Sequence, residues 1–232
     1  MGDGFGYSGI ENLEVMQEAV NYNRYLLSLV TAQLDAAHRV LDFGAGTGTF
    51  ALPLHRSGVG VIAIEPDAML RSRLTALGID ARRSIAGIPG ESLDLVYTFN
   101  VLEHIEDDAA VARELARTLK PGGRLVVYVP AFAILWTAMD RKVGHFRRYR
   151  RSSLVALLAA SGFRIVAADY VDSLGFFATL LYRLSGDGGA DINRSLLRAY
   201  DRFVFPLSRL LDRLFARRFL GKNLLVVAER DR

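Results

Sequence analysis

Apolar positions along the chain follow two rhythms. Residues 11–36 place Leu13, Met16, Val20, Leu26, Leu27 and Val30 at helical spacing, which predicts a leading helical segment broken near Tyr22-Asn23. Short continuous apolar runs follow, bounded by turn residues: 39–43 (RVLDF), 61–65 (VIAIE), 93–99 (LDLVYTF), 124–130 (RLVVYVP), 164–171 (RIVAADYV) and 224–230 (LLVVAER), with a weaker run at 80–84. These read as strands. Helical segments fall between them at 49–57, from Pro66-Asp67 to Leu77 with Gly78 as its stop, at 107–119, and at 152–163 with a serine cap. Strands alternating with helices predict a mostly parallel sheet covered on both faces. Such sheets bind ligands beyond the carboxyl ends of their strands. The loops after Phe43, Glu65, Ser84, Phe99 and Val129 should therefore line one crevice.

The first of these loops carries Gly44, Gly46 and Gly48 between a strand and a helix. Glycine permits positive φ and close approach of backbone to a ligand, and the helix start offers free N–H groups to an anion. Glu65 ends the next strand, where an acid commonly meets ribose hydroxyls. The dinucleotide fingerprint is G-x-G-x-x-G, whereas this loop reads G-x-G-x-G with Thr49 at the third glycine position. The alternative is a tight turn with an incidental glutamate.

Four segments together carry a specific resemblance: 40–50 (VLDFGAGTGTF), 61–66 (VIAIEP), 93–107 (LDLVYTFNVLEHIED) and 119–130 (LKPGGRLVVYVP). In order and spacing the chain resembles the class I S-adenosylmethionine-dependent methyltransferases. The resemblance implies an α/β, Rossmann-like three-layer sandwich. Its seven-stranded, mostly parallel sheet would have an antiparallel last strand at 224–230, with helical cap segments added. It implies S-adenosyl-L-methionine as cofactor. Gly44, Ala45 and Gly46 would line the methionine part, with Gly48 completing the loop, and Glu65, followed by Pro66, would bind the ribose. Ser84 and Ile85 fall at the adenine position, although Arg83-Ser84-Ile85 departs from the aspartate often found there. Asn100 falls near the methionine moiety, with a helix cap as its alternative role, and Asp42 would orient the loop or the cofactor ammonium.

The acceptor side is less explicit. Methyl transfer from a sulfonium mainly requires alignment, and a hydroxyl or amine acceptor also needs a base. Of four histidines, His38 and His55 read as structural, while His104 and His145 are the candidate bases, His104 with a loop-fixing role as its alternative. The segment 129–163 is long for a connection and carries Trp136, Asp140, His145, Arg147, Arg148 and Tyr149 as candidate substrate contacts. It resembles a bacterial subgroup with a D-x-x-x-G-H-x-R-R-Y stretch. Arg147, Arg148 and His145 could grip a carboxylate or phosphate on the acceptor, or the arginines could pair with nearby acids or cap the helix at Ser152. Arg150 and Arg151 read as surface charges. Tyr22, Asn23 and Tyr25 could fold over the cofactor, with core aromatics as the alternative.

Composition and charge bound the rest. Hydrophobic residues make up 51% of 232, enough for a substantial core, and the absence of cysteine excludes disulfides, thiolate metal sites and cysteine nucleophiles. No recognisable metal-ligand spacing is present, so no metal is expected. The N-terminus lacks a basic-then-apolar leader and the apolar run from Leu174 to Leu181 is too short to span a bilayer, so a cytoplasmic protein is expected. One domain is expected over 1–232: a helical segment (1–37), a cofactor core (38–130), a substrate-side insertion and helix (131–163), and C-terminal strands with a helical insertion (164–232). The run at 187–191 (DGGAD) reads as a loop. Residues 196–220 alternate apolar and basic positions, interrupted at Pro206: a packed amphipathic segment, an anionic-membrane or lipid-linked-substrate surface, or a dimer contact.

The function expected is methyl transfer to a small or medium metabolite, with oxygen favoured over nitrogen or carbon. Rival readings are a non-catalytic cofactor-binding module, a lipid-linked or nucleic-acid acceptor, and a nicotinamide oxidoreductase. A nucleic-acid partner is disfavoured by the lack of an Asn/Asp-Pro-Pro-Tyr/Phe stretch after the fourth strand. Monomer and homodimer both remain open.

Overall fold

A computed structural model describes residues 10–34, 39–185 and 193–231. Its strands are β1 (Arg39–Phe43), β2 (Gly60–Ile64), β3 (Asp80–Arg82), β4 (Leu93–Phe99), β5 (Leu119–Pro130), β6 (Phe163–Val171) and β7 (Asn223–Arg230). They form one seven-stranded sheet in the order β3-β2-β1-β4-β5-β7-β6. β1 to β5 pair in parallel, and β7 runs antiparallel to both neighbours, β5 and β6. This is the mostly parallel α/β sheet that the sequence pattern predicts, with the reversed last strand that the family resemblance implies.

The near-continuous apolar strands follow from burial on both faces. Pleating sends alternate residues to opposite sides. Leu41, Val96, Val127 and Val226 enter one core, with Leu115 of α5 (Asp108–Thr118) and Leu158 of α7 (Arg151–Ala160). Val40, Leu95, Val126 and Leu225 enter the other, with Leu26 and Val30 of α2 (Val20–Thr31), Leu54 of α3 (Ala51–Arg56) and Leu74 of α4 (Ala68–Ala76). The remaining helices are α1 (Ile10–Met16), α6 (Ala138–Lys142), α8 (Ser173–Leu184), α9 (Arg194–Ala199) and α10 (Phe205–Leu214). None is long and apolar enough to cross a membrane.

Several boundaries differ from the sequence expectation. The N-terminal break lies at residues 17–19, ahead of Tyr22-Asn23. Asn23 Nδ2 closes that corner by donating to the Met16 and Gln17 carbonyls at 2.9 and 3.4 Å. The start of α2 is capped from far away: Asn21 N and Tyr22 N donate to the buried Asp201 carboxylate at 2.9 and 2.8 Å. No local motif announces a cap lying 180 residues downstream. Strand β5 begins at Leu119, before the Pro121-Gly122-Gly123 turn expected there, and a register shift between Leu93 and Leu95 absorbs it. Pro206 does not interrupt the helical segment. A π-helical turn at Tyr200–Val204 precedes it, and the proline sits in the first turn of α10, where its missing N–H costs nothing. His38 and the 187–191 run lie outside the described residues.

The Asp201 cap yields a stability prediction. Asp201→Ala should lower folding stability by about 1–2 kcal/mol, as removing a helix N-cap does. Denaturant melts of wild type and variant measure it, and Asp201→Asn, which keeps an acceptor oxygen, should fall between them.

Candidate active site

The glycine loop is pinned to its neighbouring strand. Gly44 N and Ala45 N both donate to the Ile64 carbonyl, at 2.9 and 3.0 Å. Gly44 adopts φ +88°, and a Cβ there would meet Val101 Cγ2 at 2.3 Å, so the loop lies directly against the turn that follows β4. Glu65, buried at the end of β2, accepts from Gly46 N at 2.7 Å through one oxygen and from Asp67 N at 2.9 Å through the other. Burial pushes its pKa up. Pro66 contributes its carbonyl, which accepts from Arg71 Nη1 at 2.9 Å. Gly48, at φ +82°, packs its bare backbone against Leu74.

Asp42 lies on β1, in register with Tyr97 of β4. It is buried, its Oδ2 has no hydrogen-bond partner, and burial pushes its pKa up to about 7. Asn100 takes the left-handed conformation at φ 55°, donates N–H to the Tyr128 carbonyl at 2.7 Å, and reaches Tyr22 Oη with Nδ2 at 3.4 Å. Ser84 is exposed and Ile85 half-buried against the core. Helix α1 covers the loop: Gln17 Nε2 donates to Thr47 Oγ1 at 2.8 Å, and Leu13 lies 3.4 Å from where a Gly46 side chain would begin. Tyr22 and Tyr25 pack on Phe205, and Asn23 serves the α1–α2 corner. Two buried carboxylates, one with an orphaned oxygen, suit a ligand rich in donors, such as vicinal hydroxyls and an ammonium.

The acceptor side is organised by Asp140, the N3 residue of the short α6. Its carboxylate accepts from Thr137 N at 2.8 Å, from Arg148 Nε and Nη2 at 2.8 Å each, and sits 2.7 Å from His145 Nδ1. Burial alone would raise its pKa, but the His145 and Arg148 hydrogen bonds win and hold it well below the usual carboxylate range. Asp140 therefore stays ionised and accepts, which places a proton on His145 Nδ1. The His145 ring meets His104 edge-on at 4.5 Å and Trp136 at 6.4 Å. Burial, then the neighbouring His145, lower the His104 pKa to about 4, so it is neutral at pH 7.

Sequence reasoning passed over Glu103. It is fully buried, neither carboxylate oxygen has a partner, and burial pushes its pKa up to about 8. His145 Nε2 lies 3.9 Å from its Oε1. Glu103, His104 and His145 each offer one ligand atom, all within 4.8 Å of one another, a cluster able to hold a cation. Adjacent residues joined by a third 41 positions on have no sequence spacing that marks a metal site. The only signal was an acid beside the histidine in 101–105 (VLEHI).

The two arginines expected to grip an acceptor are committed within the protein. Arg148 is buried against Asp140, and Arg147 pairs with Asp108 at 2.8 Å and donates to the Glu106 carbonyl at 2.6 Å. Tyr149 is buried, its hydroxyl 2.7 Å from Asp108 Oδ2 and 3.2 Å from the Leu102 carbonyl, so it ties α5 to the 102–104 turn. Arg151 is not a free surface charge either: it is half-buried, 4.9 Å over the Tyr170 ring. His55 lies at the opposite end of the sheet beside Gly78, in its expected structural setting.

Residues 16–168 match a protein family described as a methyltransferase domain. The chain belongs to that family. The glycine loop and the buried carboxylates described above are arranged to hold a donor-rich cofactor such as S-adenosylmethionine. The chain is 32% identical over 165 residues to a probable S-adenosylmethionine-dependent methyltransferase of Mycobacterium tuberculosis, covering 68% of this chain and 58% of that one. It is 38% identical over 114 residues to a ubiquinone biosynthesis O-methyltransferase of Xanthomonas oryzae pv. oryzae, covering 44% and 48%. It thus spans about half the length of the curated relatives it matches. A putative sarcosine dimethylglycine methyltransferase from Galdieria sulphuraria shares the fold, with TM-score 0.61 at 18% identity, covering 91% of this chain and 86% of that one.

Two outcomes follow from these electrostatics. Asp140→Ala strands the buried Arg148 guanidinium and should cost about 3–5 kcal/mol, read by denaturant unfolding. Asp42 binds its proton more tightly folded than unfolded, so its contribution to stability is present below its unfolded value and lost as pH rises toward about 7. Melting temperatures of the cofactor-free protein across that window should fall less steeply in Asp42→Asn than in wild type.

Proposed function

We propose that this methyltransferase acts on an oxygen of a small or medium-sized metabolite, with His145 as the base. The observation that supports this most is the Asp140–His145 pair at 2.7 Å, which sits beyond the carboxyl end of β5. The acceptor hydroxyl gives its proton to Nε2, and the ionised Asp140 stabilises the resulting imidazolium. Neutral His104 braces the ring from its edge. When bound, S-adenosylmethionine supplies an electrophilic methyl group. Gly44, Ala45, Gly46 and Gly48 would form its loop, Glu65 and Pro66 its ribose end, Ser84 and Ile85 its adenine end, and Asn100 and Asp42 its amino-acid end. The relative named for O-methylation in ubiquinone biosynthesis supports oxygen over nitrogen or carbon.

Trp136 offers an apolar wall beside the base. Arg147, Arg148 and Tyr149 act here by holding Asp108 and Asp140. The D-x-x-x-G-H-x-R-R-Y stretch thus reads as a device for presenting one histidine, which is in keeping with the subgroup that carries it. An acceptor anion could meet Lys222 instead, which lies within electrostatic reach of Asp140 and Asp172 and whose pKa desolvation pulls down.

A second reading is favoured by the orphaned Glu103 carboxylate. With His104 and His145 it would hold a divalent cation, which would then polarise the acceptor oxygen in place of a base. Metal analysis of the purified protein, and turnover after chelation, separate the two.

Labelled cofactor, a metabolite extract and mass spectrometry of the product give the turnover assay. His145→Gln should lower turnover by about 10²–10⁴-fold with cofactor affinity intact. Unchanged turnover would remove His145 from the chemistry. Glu65→Ala should weaken S-adenosylmethionine binding by about 1.5–3 kcal/mol in calorimetry, the range for hydrogen bonds to a charged group.

A further inference from the structure

Helix α10 gives the protein a mixed side: Phe205 packs on Tyr22 and Tyr25, Ser208 Oγ accepts from Leu174 N at 3.0 Å, and the Asp212 carboxylate accepts from Asp172 N and Ser173 N at 2.8 and 3.1 Å. All three side chains are buried. The side it gives solvent is apolar. Leu207, Leu210 and Leu214 are 51%, 53% and 67% exposed, and Phe203 in the preceding turn is 67% exposed. Steps of four, three and four residues set these in one stripe. Helix α8, packed against α10, repeats the arrangement with Phe177, Leu181 and Leu184 exposed at helical spacing. Phe215 and Phe219 extend the apolar surface beyond α10.

An outward apolar stripe contributes nothing to the folded core, and contiguous exposed apolar surface marks a contact site. Its charge says what it meets. Arg202, Arg213 and Arg218 are exposed and form no salt bridge among the described residues. The acids of the same described segment, Asp201 and Asp212, are both buried and bonded inward. The surface is therefore leucine and phenylalanine among unpaired arginines, with no exposed carboxylate between Asn193 and Lys222.

We propose that the α8–α10 face docks on an anionic lipid bilayer, its apolar stripe entering the acyl boundary and its arginines meeting headgroup phosphates. A second copy of the chain fits this face poorly, because a two-fold contact sets the face against itself and opposes arginine to arginine. The docking face also borders the acceptor side. Arg183 Nη1 donates to the carbonyl of Ile134, which is itself exposed and two residues from Trp136. An acceptor carried by the bilayer would reach His145 from there. That entry route rests on the methyl-transfer reading; the docking does not.

Co-sedimentation of the full chain with vesicles of phosphatidylcholine, alone or mixed with phosphatidylglycerol, tests it. The protein should pellet with the mixed vesicles and stay in solution with the neutral ones, and added salt should weaken binding. Leu207→Ser/Leu210→Ser/Leu214→Ser should lower partitioning at least about tenfold, and Arg202→Gln/Arg213→Gln/Arg218→Gln should remove the anionic preference. Cofactor binding by calorimetry, retained in both variants, shows that they are folded. Absence of wild-type pelleting with mixed vesicles overturns the proposal. So does unchanged binding in both variants, or a solution dimer that the leucine variant dissociates.

Discussion

A single buried carboxylate holds the acceptor side together. Asp140 caps the first turn of α6 through Thr137 N, neutralises the buried Arg148, and fixes the His145 tautomer. These roles are interdependent. A buried ion pair contributes little net stability, but removing one member leaves a bare charge in a low-dielectric setting. Arg148 keeps Asp140 ionised, and only an ionised Asp140 must accept the Nδ1 proton. A five-residue helix could not hold His145 in place by its own propensity. The ion pair does so instead, and it orients the histidine and the insertion in one step.

The cofactor side depends on contacts between the two ends of the chain. Asp201, in the insertion between β6 and β7, caps α2. Helix α1 precedes it and lays Leu13 and Gln17 on the glycine loop. Asn12 extends the same helix to Met139 of α6 at 3.5 Å. Glycine loop, N-terminal helix and the 131–163 insertion are thus neighbours. Loosening the C-terminal insertion would be felt at the cofactor without any of its residues touching it.

The central strands β1, β2, β4, β5 and β7 were legible because they are buried on both faces, so their runs of apolar residues need no partner to be recognised. The glycine loop and Glu65 were legible because backbone approach and strand-end acids leave local marks. What was hidden was hidden for physical reasons. Glu103 has no periodicity or spacing to distinguish it, and its importance lies in having no partner, which only packing reveals. Arg147 and Arg148 could be read as gripping an acceptor anion or as pairing with nearby acids, and only packing shows that they pair with Asp108 and Asp140. The segment around Pro206 looked broken because proline disfavours a helix interior, while the π turn that accommodates it has no sequence signature.

The C-terminal helix shows a deeper limit. Alternating apolar and polar positions reveal that a helix has two faces, but not which face meets the protein. The usual assignment puts the apolar face inward, because burial of carbon surface drives folding. Here the first N–H groups of α8 need acceptors, and Asp212 and Ser208 supply them from the facing side of α10. Buried N–H groups left unpaired would cost more than exposed leucines do, since a stripe of exposed carbon forgoes a gain whereas an unpaired buried donor incurs a penalty. That asymmetry turns the polar side of α10 inward. It leaves an apolar, arginine-rimmed surface exposed among the described residues.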